Sequence, residues 1–137
     1  PGLGGWGVLI INSKILNELK GIQQQTTNNR MELIAVIKGL KSIQESADIE
    51  ITTDSMYVNN GINQWIDNWK NNGWKTAAKK PVKNKDLWQE LDELVQNYSI
   101  KWIWVKGHSG HPGNERADQL ANEAIEEFQN KNNTLTI

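Results

Sequence analysis

The chain has 137 residues, 15 Lys and Arg against 16 Asp and Glu, and a net charge of −1, which suits one domain with its own hydrophobic core. It contains no cysteine, which excludes disulfide scaffolds and cysteine-ligated zinc sites and favours a cytoplasmic location. No apolar stretch approaches the roughly 18 residues that a membrane span requires, so we expect no membrane association.

The first part of the chain predicts antiparallel strands. A glycine-rich turn leads into a β-branched and aromatic run over residues 6–11. A turn at residues 12–14 returns the chain into two strands, over residues 15–19 and 22–26, with a break near Gly21. We therefore predict a β-meander at the start.

A helical period begins at Asn29, behind a cap region formed by Thr27 and Asn28. Glu32 falls in the predicted first turn, where a carboxylate either complements the helix dipole or belongs to a functional site. Both interpretations stay open on local sequence. Apolar residues follow at helical spacing, namely Leu33, Val36, Ile37, Leu40 and Ile43.

A short β-branched strand over residues 49–53 stops at Asp54, and a brief helix over residues 55–60 is predicted to end at Gly61. A carboxylate at the carboxyl end of a strand, where a helix begins, lies where α/β folds commonly place chemistry. The structural alternative is that Asp54 only caps the helix.

Residues 65–88 combine four of the seven tryptophans with six lysines, and the lysines fall within residues 70–85, which contain no acid. The structural interpretation packs Trp65 and Trp69 on one helix face and leaves the lysines solvated. However, lysines for phosphates and flat rings for sugars or bases are what a nucleic-acid groove needs, so we favour binding. The six lysines are Lys70, Lys75, Lys79, Lys80, Lys83 and Lys85.

The last part predicts a helix over residues 86–96, a strand over residues 100–105 and a final amphipathic helix. The apolar stripe of that final helix is interpreted as core. It consists of Ala117, Leu120, Ala121, Ala124, Ile125 and Phe128.

The segment KGHSGHPGNERAD, residues 106–118, joins the last strand to the last helix. It brings His108 and Asp118 near one sheet edge, a pair suited to metal-assisted hydrolysis. Taken alone, Asp118 is explained by the helix dipole and His108 by a solvated loop. His108 and His111 have HxxH spacing, but further zinc ligands are lacking.

Three carboxylates, Glu32, Asp54 and Asp118, therefore each lie at the entry to a helix. Hard divalent cations prefer oxygen ligands and take few of them from protein, so Mg²⁺, with Mn²⁺ as the alternative, is the predicted metal. Phosphate is the natural substrate group for such a site.

Three segments in order, TTNNRMELIAVIKGL, ITTDSMYVNNGINQWIDNWKNNGWKTAAKKPVKNKDLW and IKWIWVKGHSGHPGNERADQLA, resemble type 1 ribonuclease H of the bacterial kind with a basic protrusion. The resemblance covers residues 1–124. It implies an α/β fold with a mixed five-stranded sheet flanked by helices, and Mg²⁺-dependent cleavage of the RNA strand of an RNA/DNA hybrid into 5′-phosphate and 3′-hydroxyl ends. We expect one monomeric domain over residues 1–128 and a disordered tail over residues 129–137.

The resemblance also assigns roles to individual residues. Glu32, Asp54 and Asp118 match metal-binding carboxylates, and His108 matches a loop histidine that assists proton transfer or product release. The Asn28–Asn29 pair suits recognition of the RNA 2′-hydroxyl, which disfavours a DNA-cutting nuclease of the same superfamily. Residues that match hybrid contacts are Thr27, Asn28, Asn29, Trp65, Trp69, Lys70, Trp74, Lys75, Lys79 and Lys80.

The sequence departs from the family pattern at two places. Met56 stands where bacterial relatives often have a polar substrate contact. The chain opens inside the family's N-P-G-x-G-G turn, and the preceding central strand, with its D-G-S motif and fourth carboxylate, does not appear. We expect a fragment of a longer reading frame that is poorly folded or inactive alone. The alternative function is a hybrid-binding module without cleavage.

Overall fold

The computed structural model describes most of the chain. The described residues are 2–12, 15–43, 48–106, 110 and 112–132. Within them, two strands lead into a helix, and a second pair of strands is separated by further helices.

The opening strands form one antiparallel pair, β1 (Gly2–Asn12) and β2 (Ile15–Thr26), in which Trp6 lies opposite Gly21. The predicted break at Gly21 is wrong, because β2 runs through it as a single strand. A Cβ at Gly21 would lie 2.6 Å from atoms of the Trp6 ring. This glycine therefore permits the close approach of an indole instead of making a turn.

The first helix, α1 (Asn28–Lys41), follows directly after β2. Thr27 is its N-cap, since the backbone N–H of Arg30 donates to Thr27 Oγ1 at 3.3 Å. Glu32 is predicted in the first turn but lies beyond it, because the helix already begins at Asn28 and its first turn contains no acid. The predicted apolar face is confirmed at its centre by three buried residues, Leu33, Ile37 and Leu40.

The second pair of strands is parallel. β3 (Asp48–Thr53) and β4 (Ser99–Trp104) match the predicted strands within one residue at each end. The backbone N–H of Val105 donates to the carbonyl of Thr53 at 3.0 Å, so the pairing continues to the carboxyl ends of both strands. Asp54 therefore leaves the sheet at the edge where parallel strands commonly present functional groups.

A short helix, α2 (Met56–Asn60), begins right after this edge. Its N-cap is Ser55, whose hydroxyl accepts a hydrogen bond from the backbone N–H of Val58 at 3.1 Å. The capping interpretation of Asp54 is therefore wrong. A different partner must explain where the Asp54 carboxylate points.

The predicted end of α2 at Gly61 is confirmed, but the chain does not leave the helical path there: a π-helical turn (Gly61–Trp65) continues into α3 (Ile66–Asn71). A Cβ at Gly61 would lie 1.9 Å from the ring of Trp88. Trp88 is 0% exposed. Gly61 is thus a packing residue that admits the largest side chain of the core.

The remaining helices are α4 (Lys85–Val95), which packs on α1, and α5 (Pro112–Asn132), which packs mainly on the β1–β2 pair. α5 packs on β1, where a Cβ at Gly5 or Gly7 would lie 2.3 Å from a carbonyl oxygen of the helix. α5 continues to Asn132, past the predicted domain end at residue 128. Among the described helices, none is both long enough and apolar enough to cross a membrane.

In the described chain the strand pairs form two separate sheets, β1–β2 and β3–β4. A cavity of about 900 Å³ lies between β1 and β3, with α1 and α5 as its other walls. The α/β architecture with flanking helices agrees with the predicted fold class. Within the described residues, the facing edges of β1 and β3 are not paired to each other.

Candidate active site

Three secondary-structure elements bring the predicted carboxylates to one place. Glu32 comes from α1, Asp54 from the end of β3, and Asp118 from α5. All three line the cavity between the sheets, and all three also line an adjoining cavity of about 500 Å³. Residues far apart in sequence thus meet at the carboxyl end of β3.

The pKa of Glu32 is affected by the other two acids. Burial raises the pKa of Glu32 to about 7, and the negative charges of Asp54 and Asp118 contribute in the same direction. Like-charged carboxylates that share a desolvated site favour protonation unless positive charge compensates them. Positive charge at this place would therefore favour the ionised form of Glu32.

A buried asparagine orients one of the three acids. Asn114, near the start of α5, is buried and donates from Nδ2 to Asp54 Oδ2 at 3.2 Å. A second hydrogen bond holds the backbone around Asp54: the backbone N–H of Ser55 donates to Thr53 Oγ1 at 3.1 Å. Sequence reasoning missed Asn114, although its spacing from Asp118, four positions along one helix, places both on the same helical face.

The donor set fits a hard divalent cation, because it consists of carboxylate oxygens. Within the described ranges, no group of three or more His, Cys, Asp or Glu side chains already has the arrangement of a closed metal site. The shared cavities and the raised pKa of Glu32 nevertheless put three acids around one space. The charges of Asp54 and Asp118 therefore act on Glu32, but the three side chains do not converge on one ion in this arrangement.

The adjoining cavity extends from the carboxylates to the start of α1. Thr27 and Asn28 line it together with Glu32 and Asp118. Asn28 and Asn29 are exposed in the first turn of α1. The polar residues predicted to contact a hybrid therefore lie on the same side of the molecule as the acids, one helical turn away.

Thr26 is a further polar residue at this cavity that the sequence did not reveal. It is 7% exposed, and its Oγ1 has no hydrogen-bond partner among the described residues. A buried hydroxyl without a partner is costly, so this atom is suited to meet a polar group of a ligand that enters the cavity. Its position at the end of β2, in a TT pair next to a helix cap, predicts only a strand residue.

The predicted aromatic contacts form a packed group. Trp69 lies 5.7 Å from Trp65, 6.3 Å from Trp74 and 5.5 Å from Trp88 between ring centroids. Trp65, Trp69 and Trp74 are half-buried. Each ring therefore packs against its neighbours with part of its surface, as the structural interpretation predicted for Trp65 and Trp69, and exposes the rest to solvent.

The lysines next to these rings are exposed. Lys70 Nζ lies 3.4 Å from Asp92. The others form no ion pair with any residue that the structure describes, so their charge is available to a partner; they are Lys75, Lys79, Lys80, Lys83 and Lys85.

The predicted loop histidine, His108, lies outside the described residues, and so does His111.

Comparisons with known proteins find relatives along most of the chain. A family model described as RNase H matches residues 1–126. The chain is 59% identical over 131 residues to ribonuclease H of Francisella philomiragia, which covers 96% of this chain and 86% of that protein. It is 61% identical over 128 residues to ribonuclease H of Hydrogenovibrio crunogenus, with 93% and 88% covered. The solved structure of LC9-RNase H1, a type 1 RNase H with the type 2 active-site motif, is similar with a TM-score of 0.75, 27% identity, and coverage of 92% of this chain and 72% of that one.

Proposed function

This chain belongs to the ribonuclease H family, and we propose that it hydrolyses the RNA strand of RNA/DNA hybrids. The observation that carries the proposal is the convergence of Glu32, Asp54 and Asp118 on one cavity beside exposed asparagines of α1. A site of this kind holds cations against a phosphodiester. The products are a 5′-phosphate and a 3′-hydroxyl end.

We assign the three carboxylates to divalent cations, Mg²⁺ or alternatively Mn²⁺. Glu32, Asp54 and Asp118 would hold two such ions, which would supply activation of the attacking water and stabilisation of the leaving 3′-oxygen during in-line displacement at phosphorus. Glu32 loses its proton as positive charge enters the site, because the burial and like charge that hold its pKa at about 7 are then compensated. Asn114 keeps the Asp54 carboxylate in a fixed orientation through its hydrogen bond of 3.2 Å.

His108 is proposed to move the proton that the reaction shifts between the water and the leaving 3′-oxygen, or to assist product release. The support is the resemblance of its loop, KGHSGHP, to the family pattern. An imidazole suits this role because its ordinary pKa lies near neutrality.

Substrate recognition is proposed to divide between two surfaces. Thr27, Asn28 and Asn29 read the RNA strand, where the 2′-hydroxyl distinguishes RNA from DNA. The tryptophans and lysines of residues 65–80 hold the DNA strand through stacking and phosphate contacts. The exposure of the asparagines and of the lysines supports this division, and we propose that one monomer carries both surfaces.

The second candidate is a module that binds hybrids without cutting them. The cavity of about 900 Å³ that opens directly beside the three carboxylates favours it. A site open on one side holds cations less firmly, because fewer oxygen ligands surround them. Hybrid binding without cleavage by the unaltered chain would support this candidate.

Replacement of Asp54 by Asn tests the assignment. It should abolish cleavage of a labelled hybrid in Mg²⁺ and leave hybrid affinity within about twofold, since the carboxylate acts on the reacting phosphate and not on overall docking. The matched control is Glu126→Gln, which removes an exposed carboxylate from α5. Cleavage that survives in Asp54→Asn would remove this residue from the metal site.

A further inference from the structure

Arg30 connects the two proposed recognition surfaces. It lies in the first turn of α1, between the asparagines and Glu32. Its guanidinium turns towards α4, where Nη1 donates to Asp86 Oδ1 at 3.0 Å and Nη2 donates to Asp86 Oδ2 at 2.8 Å. This two-point contact fixes the orientation of one planar group against another.

The same guanidinium starts a chain of hydrogen bonds. Arg30 Nη1 also donates to Asn84 Oδ1 at 3.2 Å. Asn84 Nδ2 donates to the hydroxyl of Tyr57 at 3.0 Å, and Trp88 Nε1 donates to the same hydroxyl at 2.9 Å. Because Tyr57 lies in α2, the chain links α1, which carries Glu32, to the helix that begins two residues after Asp54.

Asn84 also ends the loop of residues 74–84, which we call the basic loop. The loop is closed by the backbone N–H of Val82, which donates to the Trp74 carbonyl at 3.1 Å, and by that of Thr76, which donates to the Lys80 carbonyl at 2.7 Å. Asn84 has a φ of 59°, and its carbonyl accepts from Leu87 and Trp88 at the start of α4. The Arg30 contacts therefore hold the point where the basic loop joins the helical core.

We propose that Arg30, through its fork to Asp86 and Asn84, is a positioning residue that sets the distance and angle between the basic loop and the carboxylates. This inference rests on the proposed function. The distance between the two strands of a hybrid is fixed. If the basic loop moves relative to α1, its lysines cannot contact the phosphates of the DNA strand while the RNA strand lies beside the three carboxylates. In a variant with a mobile loop, ordering that loop would cost part of the binding free energy, and the affinity for the hybrid would fall.

An ordinary structural ion pair is the competing explanation, and the chain contains a matched control for it. Lys41 and Glu90 form a second ion pair between α1 and α4, at the opposite end of α1. Both pairs are partly exposed, so each contributes little to stability. If Arg30 only joins helices, the two pairs should respond alike to mutation.

The substitutions Asp86→Asn and Glu90→Gln distinguish a positioning role from an ordinary ion pair, because the two explanations predict opposite changes in hybrid affinity for Asp86→Asn. Each removes one negative charge from α4, and electrostatics alone predicts that both variants bind a polyanion more tightly. Positioning predicts that Asp86→Asn binds a short RNA/DNA hybrid more weakly, roughly three- to tenfold, while Glu90→Gln binds equally or more tightly. Fluorescence anisotropy at a fixed salt concentration measures both, and tighter binding by Asp86→Asn would overturn the inference.

A double-mutant cycle gives a readout that a purely structural role would not move. Arg30→Gln should make the change of Lys79 and Lys80 to Ala less damaging to affinity, because lysines on a displaced loop contribute less. The Arg30 guanidinium bonds to Asn84 and Asp86, neither of which is one of these lysines, so additive effects would contradict coupling through the loop position. The exchange Arg30→Asp with Asp86→Arg should recover part of the affinity.

Amide hydrogen exchange without nucleic acid distinguishes failure of this inference from failure of the proposed function. Exchange in the basic loop should accelerate in Arg30→Gln and stay unchanged in Lys41→Gln. Equal exchange in the two variants overturns the positioning role, even for a chain that binds hybrids. Absence of hybrid binding by the unaltered chain, with accelerated exchange in Arg30→Gln, would instead overturn only the proposed function.

Discussion

Glu32 shows how a single residue acquires a property that its sequence position does not reveal. A glutamate at the start of a helix is commonly a partner for the helix dipole. Here it lies beyond the first turn, and burial together with Asp54 and Asp118 raises its pKa to about 7. The sequence predicted that these three residues form one set, and they line one cavity, but the protonation state of Glu32 depends on burial, which only the fold determines.

This pKa makes stability depend on pH in a defined direction. A carboxyl whose pKa is higher in the folded than in the unfolded state contributes stability fully below its ordinary pKa of 4.5, and the contribution is lost as pH rises through about 7. Without divalent cations, Glu32→Gln should therefore stabilise the chain at pH 8 by up to about 3 kcal/mol and have little effect near pH 4.5.

Urea unfolding at a series of pH values checks this expectation. Glu93→Gln, which changes an exposed glutamate of α4, is the control and should leave the profile unaltered. At pH 8, added Mg²⁺ should raise the free energy of unfolding of the unaltered chain by more than it raises that of the Glu32→Gln variant. A flat difference between Glu32→Gln and the unaltered chain across this pH range would contradict the proposed carboxylate cluster.

Uncharged residues whose side chains lie at the site through distant contacts were harder to predict from the sequence than the carboxylates. Asp54 was identified by its position at the end of a strand, but the asparagine that orients it, Asn114, follows a glycine in a loop-like segment. Thr26 has the pattern of an ordinary strand residue, yet its buried hydroxyl meets no hydrogen-bond partner within the described part of the chain. Neither role has a local pattern, because both depend on groups distant in sequence.

At the level of elements, hydrophobic periodicity predicted the helices and strands well, and glycines caused the errors. Gly21 was predicted to break a strand that in fact runs through it, and Gly61 ends α2 without ending the helical path; each makes room for a tryptophan, Trp6 and Trp88 respectively. A glycine needed for close approach and one needed for a turn look the same in a single sequence. The partner ring is the missing information.

Gly61→Ala tests this packing role. The new methyl group would lie 1.9 Å from the Trp88 ring, and overpacking of a core costs about 1–3 kcal/mol or more. The free energy of unfolding, measured with urea, should fall by at least that much. Gly2→Ala is the matched control, since a Cβ there meets nothing within 4 Å. Equal effects of the two changes would disprove the packing argument.

The basic loop makes a separate prediction about nucleic-acid binding. Lys79→Ala with Lys80→Ala should weaken hybrid binding and lower the steepness of its salt dependence, by about 0.9 in the log–log slope for each phosphate that is no longer neutralised. Two exposed lysines elsewhere, Lys38 and Lys101, provide the control. An unchanged slope would mean that the lysines of the loop are only a solvated face.

For the molecule as a whole, the separation of the two sheets is the feature with the largest consequence. The cavity of about 900 Å³ between β1 and β3 reaches the three carboxylates, so whatever fills it also borders the site. The family resemblance predicts a central strand with a fourth carboxylate at this position. A strand there would pair with both neighbours, bury the apolar walls and complete the oxygen ligands.

Cleavage of a labelled RNA strand, annealed to DNA, in the presence of Mg²⁺ is the decisive experiment for the carboxylate site. The 137-residue chain is compared with a version extended by an upstream strand that carries Asp, and with the same extended version containing Asp54→Asn. The expected result is rapid cutting by the extended chain alone, with little cutting by the other two. Equal cutting by the short and extended chains would show that three carboxylates suffice, and no cutting by the extended chain would contradict the proposed nuclease site itself.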